Sequence, residues 1–356
     1  MRLPRSTPVP RSSPQVHRPR MRVGALCLVA AAAILAGCGN SDGPSTPDVP
    51  TVTPATASPA PVGPATSAAG LVVPTPADGR GLALSGDLIA VLDRAGTTVV
   101  RYRADDPGAD PQPATTPELT QLIGSGGGAF LGVGPGVAVR ITGDGTVTTT
   151  EVDVDDPTAL AQTATGEVLI GTADGRVLVL DGELSPLREI DGFVRVDDIT
   201  VSPDGADLSA EQVVVLDRAQ SSVTPVDVAD GDLGPALRAG NGATNSAVDH
   251  FGRVLVANTR DGEIIGFFGS PLVMRFRYPV PGGPYAVDYD DERNLMWVST
   301  TANNEVVAYD LSGGEPVEKR RVQAVAQPDS IVVDDTSGTL YVLSRRGGLQ
   351  IVDNGG

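Results

Sequence analysis

Side chains able to do chemistry are few in this 356-residue sequence. Histidine occurs twice, at His17 and His250, and cysteine twice, at Cys27 and Cys38. A serine nucleophile activated by an imidazole needs a histidine within hydrogen-bond reach. Only His250, in the stretch AVDHFG, stands in the body of the chain. Its place at a strand-to-turn junction reads more simply as a solvated turn residue. No His-Glu-x-x-His pattern or histidine cluster exists to hold zinc or haem, and no thiol follows Cys38. No residue is therefore assigned a catalytic role.

Carboxylates are the abundant reactive group, 44 Asp and Glu against 26 Lys and Arg. Two runs, EVDVDDP (151–157) and DYDDE (288–292), could offer oxygen ligands to Ca²⁺, although neither has EF-hand spacing. In so acidic a chain such runs are usually solvated loop faces. No cofactor is therefore expected, Ca²⁺ being the one metal left open, and no metal ligand is named. The glycine-rich stretch GSGGGAF (124–130) lacks the Lys-Ser/Thr ending of a phosphate cradle and reads as a flexible loop between repeats. A formal charge of −18 repels phosphate backbones, so nucleic acid is not an expected partner.

The elements that must position any site are short. Gly (43) and Pro (30) make up about a fifth of the chain, which suits many brief strands joined by tight turns. From about residue 70, strand–turn–strand units recur: 87–102, 136–152, 167–181, 212–227, 253–267, 295–310 and 340–353. Their turns carry Asp144-Gly145, Asp174-Gly175, Asp261-Gly262 and Asn303-Asn304, residues that tolerate the positive φ of tight hairpins. Taking Val91, Val139, Ile170, Val215, Val256, Trp297 and Val342 as equivalent points, the spacings are 48, 31, 45, 41, 41 and 45. Their mean of about 42 is that of four-stranded propeller blades, and no segment sustains a helical period. Further strands are expected before the hairpins, at 197–205, 244–252, 284–294 and 328–338, and after them, at 274–280 and 318–325. The last unit is one strand short. Leu71-Val72-Val73 is expected to supply it, closing an all-β ring of seven four-stranded blades.

Such a ring presents a central funnel where its innermost strands begin. The residues just ahead of those strands are Arg80, Thr158, Asp198, Asn245, Tyr285 and Asp329. They are the candidate ligand- or partner-binding set, with Arg80 and Tyr285 the best suited to recognition through a planar donor fork and an amphipathic ring. Trp297, in mid-strand, is expected in the core. Residues 263–356 hold 8 cations and 13 acids, against 12 and 31 in 39–262. Should Arg275, Arg277, Lys319, Arg320, Arg321, Arg345 and Arg346 share a rim, that side would suit an acidic partner or lipid headgroups; scattered solvated arginines are the plainer account.

The amino terminus reads as an address. Residues 23–37 are an apolar run of 15 preceded by Arg18, Arg20 and Arg22, too short for a comfortable membrane span and suited to a signal peptide. Residues 1–20 form a basic, Pro-rich prefix, and translation from Met21 would give a compact signal. Leu35-Ala36-Gly37-Cys38 resembles the lipobox of bacterial lipoproteins. That resemblance implies cleavage before Cys38, a diacylglycerol on its thiol and anchorage to the outer face of the cell membrane. Loss of the six arginines in 1–37 would leave 20 cations against 44 acids, a net charge of −24. One lysine against 25 arginines fits a GC-rich genome such as an actinobacterium's. From Ser41 to Ser67, seven Pro and nine Ser/Thr in 27 residues predict a disordered tether, so that 38–69 links the anchor to a propeller at 70–356.

Phrases such as ITVSPDG (199–205), RVLVANTRDGEIIGF (253–267) and LYVLSRRGGLQIVD (340–353) resemble the YVTN/YncE-like repeats of bacterial seven-bladed propellers, and are similar to NHL-type repeats. The resemblance covers about residues 70–356; 124–136 and the 31-residue spacing depart from it. It implies a fold that hosts binding platforms and enzymes alike. The expected role is a monomeric, membrane-anchored binding or scaffolding module of the cell envelope, its partner an envelope protein or a small molecule. The alternative is a calcium-assisted, lactonase-like hydrolase or a quinone-dependent dehydrogenase working in the central channel.

Overall fold

Short antiparallel strands build the whole of the computed structural model, which describes residues 50–62, 67–74, 79–346 and 348–353. The expected signal, Cys38 and the tether as far as residue 49 lie outside the described residues. Seven sheets follow one another in chain order as blades 1 to 7: 81–115, 121–151, 157–190, 198–238, 243–279, 284–323, and 328–352 with 71–73. Inner strands of successive blades adjoin, and that of blade 7 adjoins that of blade 1, so the ring is closed. In blade 4 the outer strand is broken into Asp232–Leu233 and Leu237–Arg238, both paired with Ser222–Asp227.

Each blade is covered on both faces, which is why its middle strands read as continuous apolar runs rather than alternating ones. Val213–Asp217 and Val254–Asn258 are buried at every residue. The core is accordingly seven apolar layers, one between each pair of neighbouring blades. Trp297 in blade 6 is wholly buried in the layer toward blade 7, while its neighbours Met296 and Val298 point into the layer toward blade 5. Alternation along a strand thus serves two cores at once.

Closure follows the expected route. Leu71–Val73 pairs with Leu349–Val352 as the outer strand of blade 7, Leu71 opposite Ile351 and Val73 opposite Leu349. The hairpin turns also hold: Gly175 has φ 86° and Asn304 has φ 54°, the left-handed region their sequence anticipates.

Two expectations are corrected. Val139 does not match the other equivalent points, because it lies in the third strand of blade 2, Val137–Ile141, whereas the others lie in second strands. The second strand of blade 2 is Phe130–Gly134, centred on Gly132. With Gly132 in place of Val139, the spacings of 48 and 31 become 41 and 38, and the irregularity disappears. For the same reason GSGGGAF is not a loop between blades. It is the tight turn joining the first two strands of blade 2, where Ser125 N donates to Ala129 O at 2.8 Å and Gly126, Gly127 and Gly128 all have positive φ.

Part of the segment expected as tether lies against the ring. Val52 N donates to Ala219 O at 2.6 Å, and Arg260 donates to Thr53 O at 2.7 Å. The Gln327 amide clasps the backbone twice, accepting from Ala60 N at 2.9 Å and donating to Ser58 O at 2.8 Å. Gly283 leaves room for this strap, since a Cβ there would stand 2.3 Å from Ser58 Oγ. Ala55 and Ala60 are buried beneath it. The strap is extended, as its prolines dictate, but backbone groups that a Pro/Ser/Thr composition leaves free are met by the Ala219 carbonyl and by the Arg260 and Gln327 side chains.

Candidate functional site: an arginine-lined funnel

Antiparallel order puts the starts of the inner strands, the loops between blades and the turns between second and third strands on one face of the ring. All six candidate residues, Arg80, Thr158, Asp198, Asn245, Tyr285 and Asp329, line a single cavity of about 670 Å³ on that face. That volume suits a small ligand.

The inner strands are bent to make it. Their pairing slips between Pro157 and Ala159, Ala243 and Asn245, Pro284 and Val287, and Pro328 and Ser330. Thr158, Tyr285 and Asp329 therefore sit on bulges, which turn side chains out of the regular alternation. Pro157, Pro284 and Pro328 each open their strand, where a missing backbone donor costs least.

Three of the six are occupied in lacing one blade to the next. Thr158 Oγ1 donates to Val196 O. Asp198 accepts from Ser246 N and Ser246 Oγ, both at 2.9 Å, and Asn245 donates to Tyr285 O at 2.8 Å. Burial pushes the Asp198 carboxyl above its usual range against the pull of the Ser246 donors. Asp329 is also raised by burial; its Oδ2 makes no hydrogen bond, the Arg345 Nε lying 3.6 Å away. Arg80 is different. Its guanidinium makes no hydrogen bond or ion pair among the described residues and stands in the cavity beside Gly96.

Four more arginines line the cavity: Arg94, Arg195, Arg218 and Arg345. None was among the six funnel candidates, and Arg345 was named only as part of a rim, yet the signal was there. Leu92-Asp93-Arg94, Leu216-Asp217-Arg218 and Leu343-Ser344-Arg345 place an arginine at the same point of the turn after the second strand in blades 1, 4 and 7. That turn opens on the funnel face, so an arginine repeated there converges on the axis. Arg195 Nε holds Asp197 at 2.6 Å, and Arg218 donates to Asn245 Oδ1 at 3.0 Å.

The arginines of the last three blades do not share a rim. Arg275, Arg277, Lys319, Arg320 and Arg321 stand on the outer strands Val273–Pro279 and Val317–Gln323. There Arg277 pairs with Glu263, Lys319 with Asp310, and Arg321 with both Glu305 and Glu318. Only Arg345 of that group lines the funnel. His250 is far from it in topology. It follows the inner strand of blade 5, on the opposite face, where its Nδ1 lies 2.7 Å from Asp291 Oδ1. The two acidic runs fall on opposite faces as well: 151–157 links blades 2 and 3, whereas 288–292 ends an inner strand. Among the described residues no group of three or more His, Cys, Asp or Glu is arranged to hold a metal.

No family model matches the chain, and no curated protein matches it in sequence. Solved structures do match in shape. A streptogramin B lyase is 13% identical with a TM-score of 0.65, over 81% of this chain and 97% of that one. Virginiamycin B lyase from Staphylococcus aureus is 13% identical with a TM-score of 0.64, over 79% and 99%. A chain of the mitotic checkpoint complex is 13% identical with a TM-score of 0.69, over 85% and 96%. Lyases and an assembly component thus share the architecture, and what these likenesses show of this chain is its fold, a seven-bladed β-propeller.

Proposed function

We propose that this chain is a lipid-anchored, extracytoplasmic β-propeller of the YncE-like kind that acts as a binding module in the cell envelope, with the funnel as its ligand site. The observation that carries the binding role is convergence: six positions picked from six different repeats, and four further arginines, line one cavity. Anchorage rests on the sequence alone, on the apolar run 23–37 ending in Leu35-Ala36-Gly37-Cys38. The related fold carries lyases, but here the one described histidine is on the face away from the funnel, which favours binding over imidazole chemistry in the cavity.

The test is a photo-reactive residue at Tyr285 in intact cells, followed by mass spectrometry of whatever it captures. A reproducible adduct, absent when the same group is placed at Leu187 on the exposed outer strand of blade 3, supports the funnel site. Equal labelling from both positions overturns it. Cys38→Ala should abolish incorporation of labelled fatty acid; persistent labelling overturns the anchor.

A further inference from the structure

The five funnel arginines are not spread evenly around the ring. Arg80 and Arg94 belong to blade 1 and Arg345 to blade 7, so these three gather at the closing seam. Arg195 lies in the loop entering blade 4, and Arg218 in a turn of blade 4 itself. In a ring of seven, blade 4 stands directly across from the seam between blades 7 and 1. The cavity therefore has two arginine poles facing each other. Between them, Leu82, Leu122 and Leu160 of blades 1, 2 and 3 contribute an aliphatic wall.

Three aspartates in the lining offset part of this charge: Asp329 lies 3.6 Å from Arg345, while Asp197 and Asp198 flank the blade 4 arginines. Asp197 is turned to its own surroundings, accepting from Arg195 Nε and from Arg218 N at 2.9 Å. Asp198 is spent on Ser246, across the gap to blade 5. A guanidinium offers five donors and no acceptor. Arg80 has used none of them among the described residues. Arg195 and Arg218 reach their named side-chain partners with one nitrogen each; Arg218 Nε is buried, so Nη1 of Arg218 and both Nη atoms of Arg195 are left for a ligand. The cavity is thus a donor-rich, cationic enclosure in a chain whose formal charge is −18.

We infer that the funnel takes a small dianion with a carboxylate at each end and an apolar middle. This rests on the reading of the funnel as the ligand site and adds the ligand's chemistry. One carboxylate meets the seam pole in the planar, two-pronged geometry that guanidinium favours, and the other meets the blade 4 pole. The methylene chain lies against the leucine wall. A monocarboxylate fills one pole and leaves the other unpaired.

The test uses the full chain and straight-chain dicarboxylates from succinate to sebacate, each against its monocarboxylate counterpart, by titration calorimetry. The expected result is a best chain length at which the dicarboxylate binds at least ~10-fold more tightly than the monocarboxylate, with affinity falling as salt rises. Arg80→Gln and Arg195→Gln should each erase that advantage, one from either pole. Arg80→Gln breaks no side-chain hydrogen bond or ion pair among the described residues, so its melting temperature should match the parent's, and a matching value removes a lost fold as the explanation. Equal binding of mono- and dicarboxylates, or unaltered binding in both variants, overturns the two-pole inference. Absence of dicarboxylate binding also overturns it, and capture at Tyr285 then decides separately whether the funnel is a ligand site of other chemistry.

Discussion

Gln327 is the point at which the strap can be released while the apolar layers stay intact. Its side-chain amide makes two hydrogen bonds, to Ser58 O at 2.8 Å and from Ala60 N at 2.9 Å, while its backbone N donates separately to Asn304 Oδ1. Gln327→Ala removes the first two and keeps the third. At about 0.5–1.5 kcal/mol each, their loss weakens docking of the strap by about 1–3 kcal/mol. With about 1.4 kcal/mol per tenfold, the open population should rise roughly 5- to 150-fold. Hydrogen exchange followed by mass spectrometry of peptides covering residues 50–62 reads this at Val52, whose amide keeps its acceptor, Ala219 O, in the variant and is protected only while the strap is down. The seven apolar layers are untouched, so core peptides such as 295–300 should exchange as before. Exchange at Val52 within twofold of the parent would refute the reasoning, because the clasp would then contribute nothing to holding the segment.

Other outcomes follow from the same description. Burial raises the Asp288 carboxyl to about 7, although its Oδ2 accepts from Val333 N. The folded chain therefore holds a proton there that the unfolded chain releases near 4. The stability linked to it is full below about 4 and is lost as pH rises through about 7. Asp288→Asn should accordingly gain on the order of 4 kcal/mol over the parent at pH 8 and little at pH 4, by urea unfolding; a difference independent of pH would sink the assignment. Trp297→Ala, at a wholly buried position, should cost about 3–5 kcal/mol in the same assay. Gly70→Val should loosen the outer strand of blade 7, because Gly70 has φ 71° and a Cβ there would stand 2.2 Å from Ile351 O. The check is faster exchange in 71–73 than in the other outer strands.

Sequence reading recovered the ring because blades covered on both faces leave a strong mark: four or five apolar residues, a turn with Asp-Gly or Asn-Asn, then another apolar run. Blade 2 was misaligned where that mark fails. Phe130–Gly134 carries two glycines, and its outer strand, Val147–Glu151, is mostly threonine, so the third and fourth strands imitated the second and third. The funnel positions were legible since inner strands start at recognisable Pro and Asp residues. Which of them are taken up in lacing blades together was not, because Asp198 and Asn245 bond to Ser246 and Tyr285 of the next blade, forty or more residues on. The strap was hidden for a related reason. Composition describes what Ser58 and Ala60 cannot bury, not that Gln327 waits for their backbone.

The seam has a consequence for the order of the chain. Leu71 lies beside Ile351, and Asp353 follows only two residues later, so 353 and 70 are placed as the two sides of a hairpin whose turn was never written. In every other blade the third and fourth strands are joined covalently; in blade 7 the same pairing spans the length of the ring. A few turn residues between Asp353 and Gly70 would make blade 7 like its neighbours, and the chain could then be opened in any loop between other blades. Where the polypeptide starts around the ring is thus a matter of wiring rather than of architecture, and a circular permutant begun ahead of blade 4 should fold to the same seven blades.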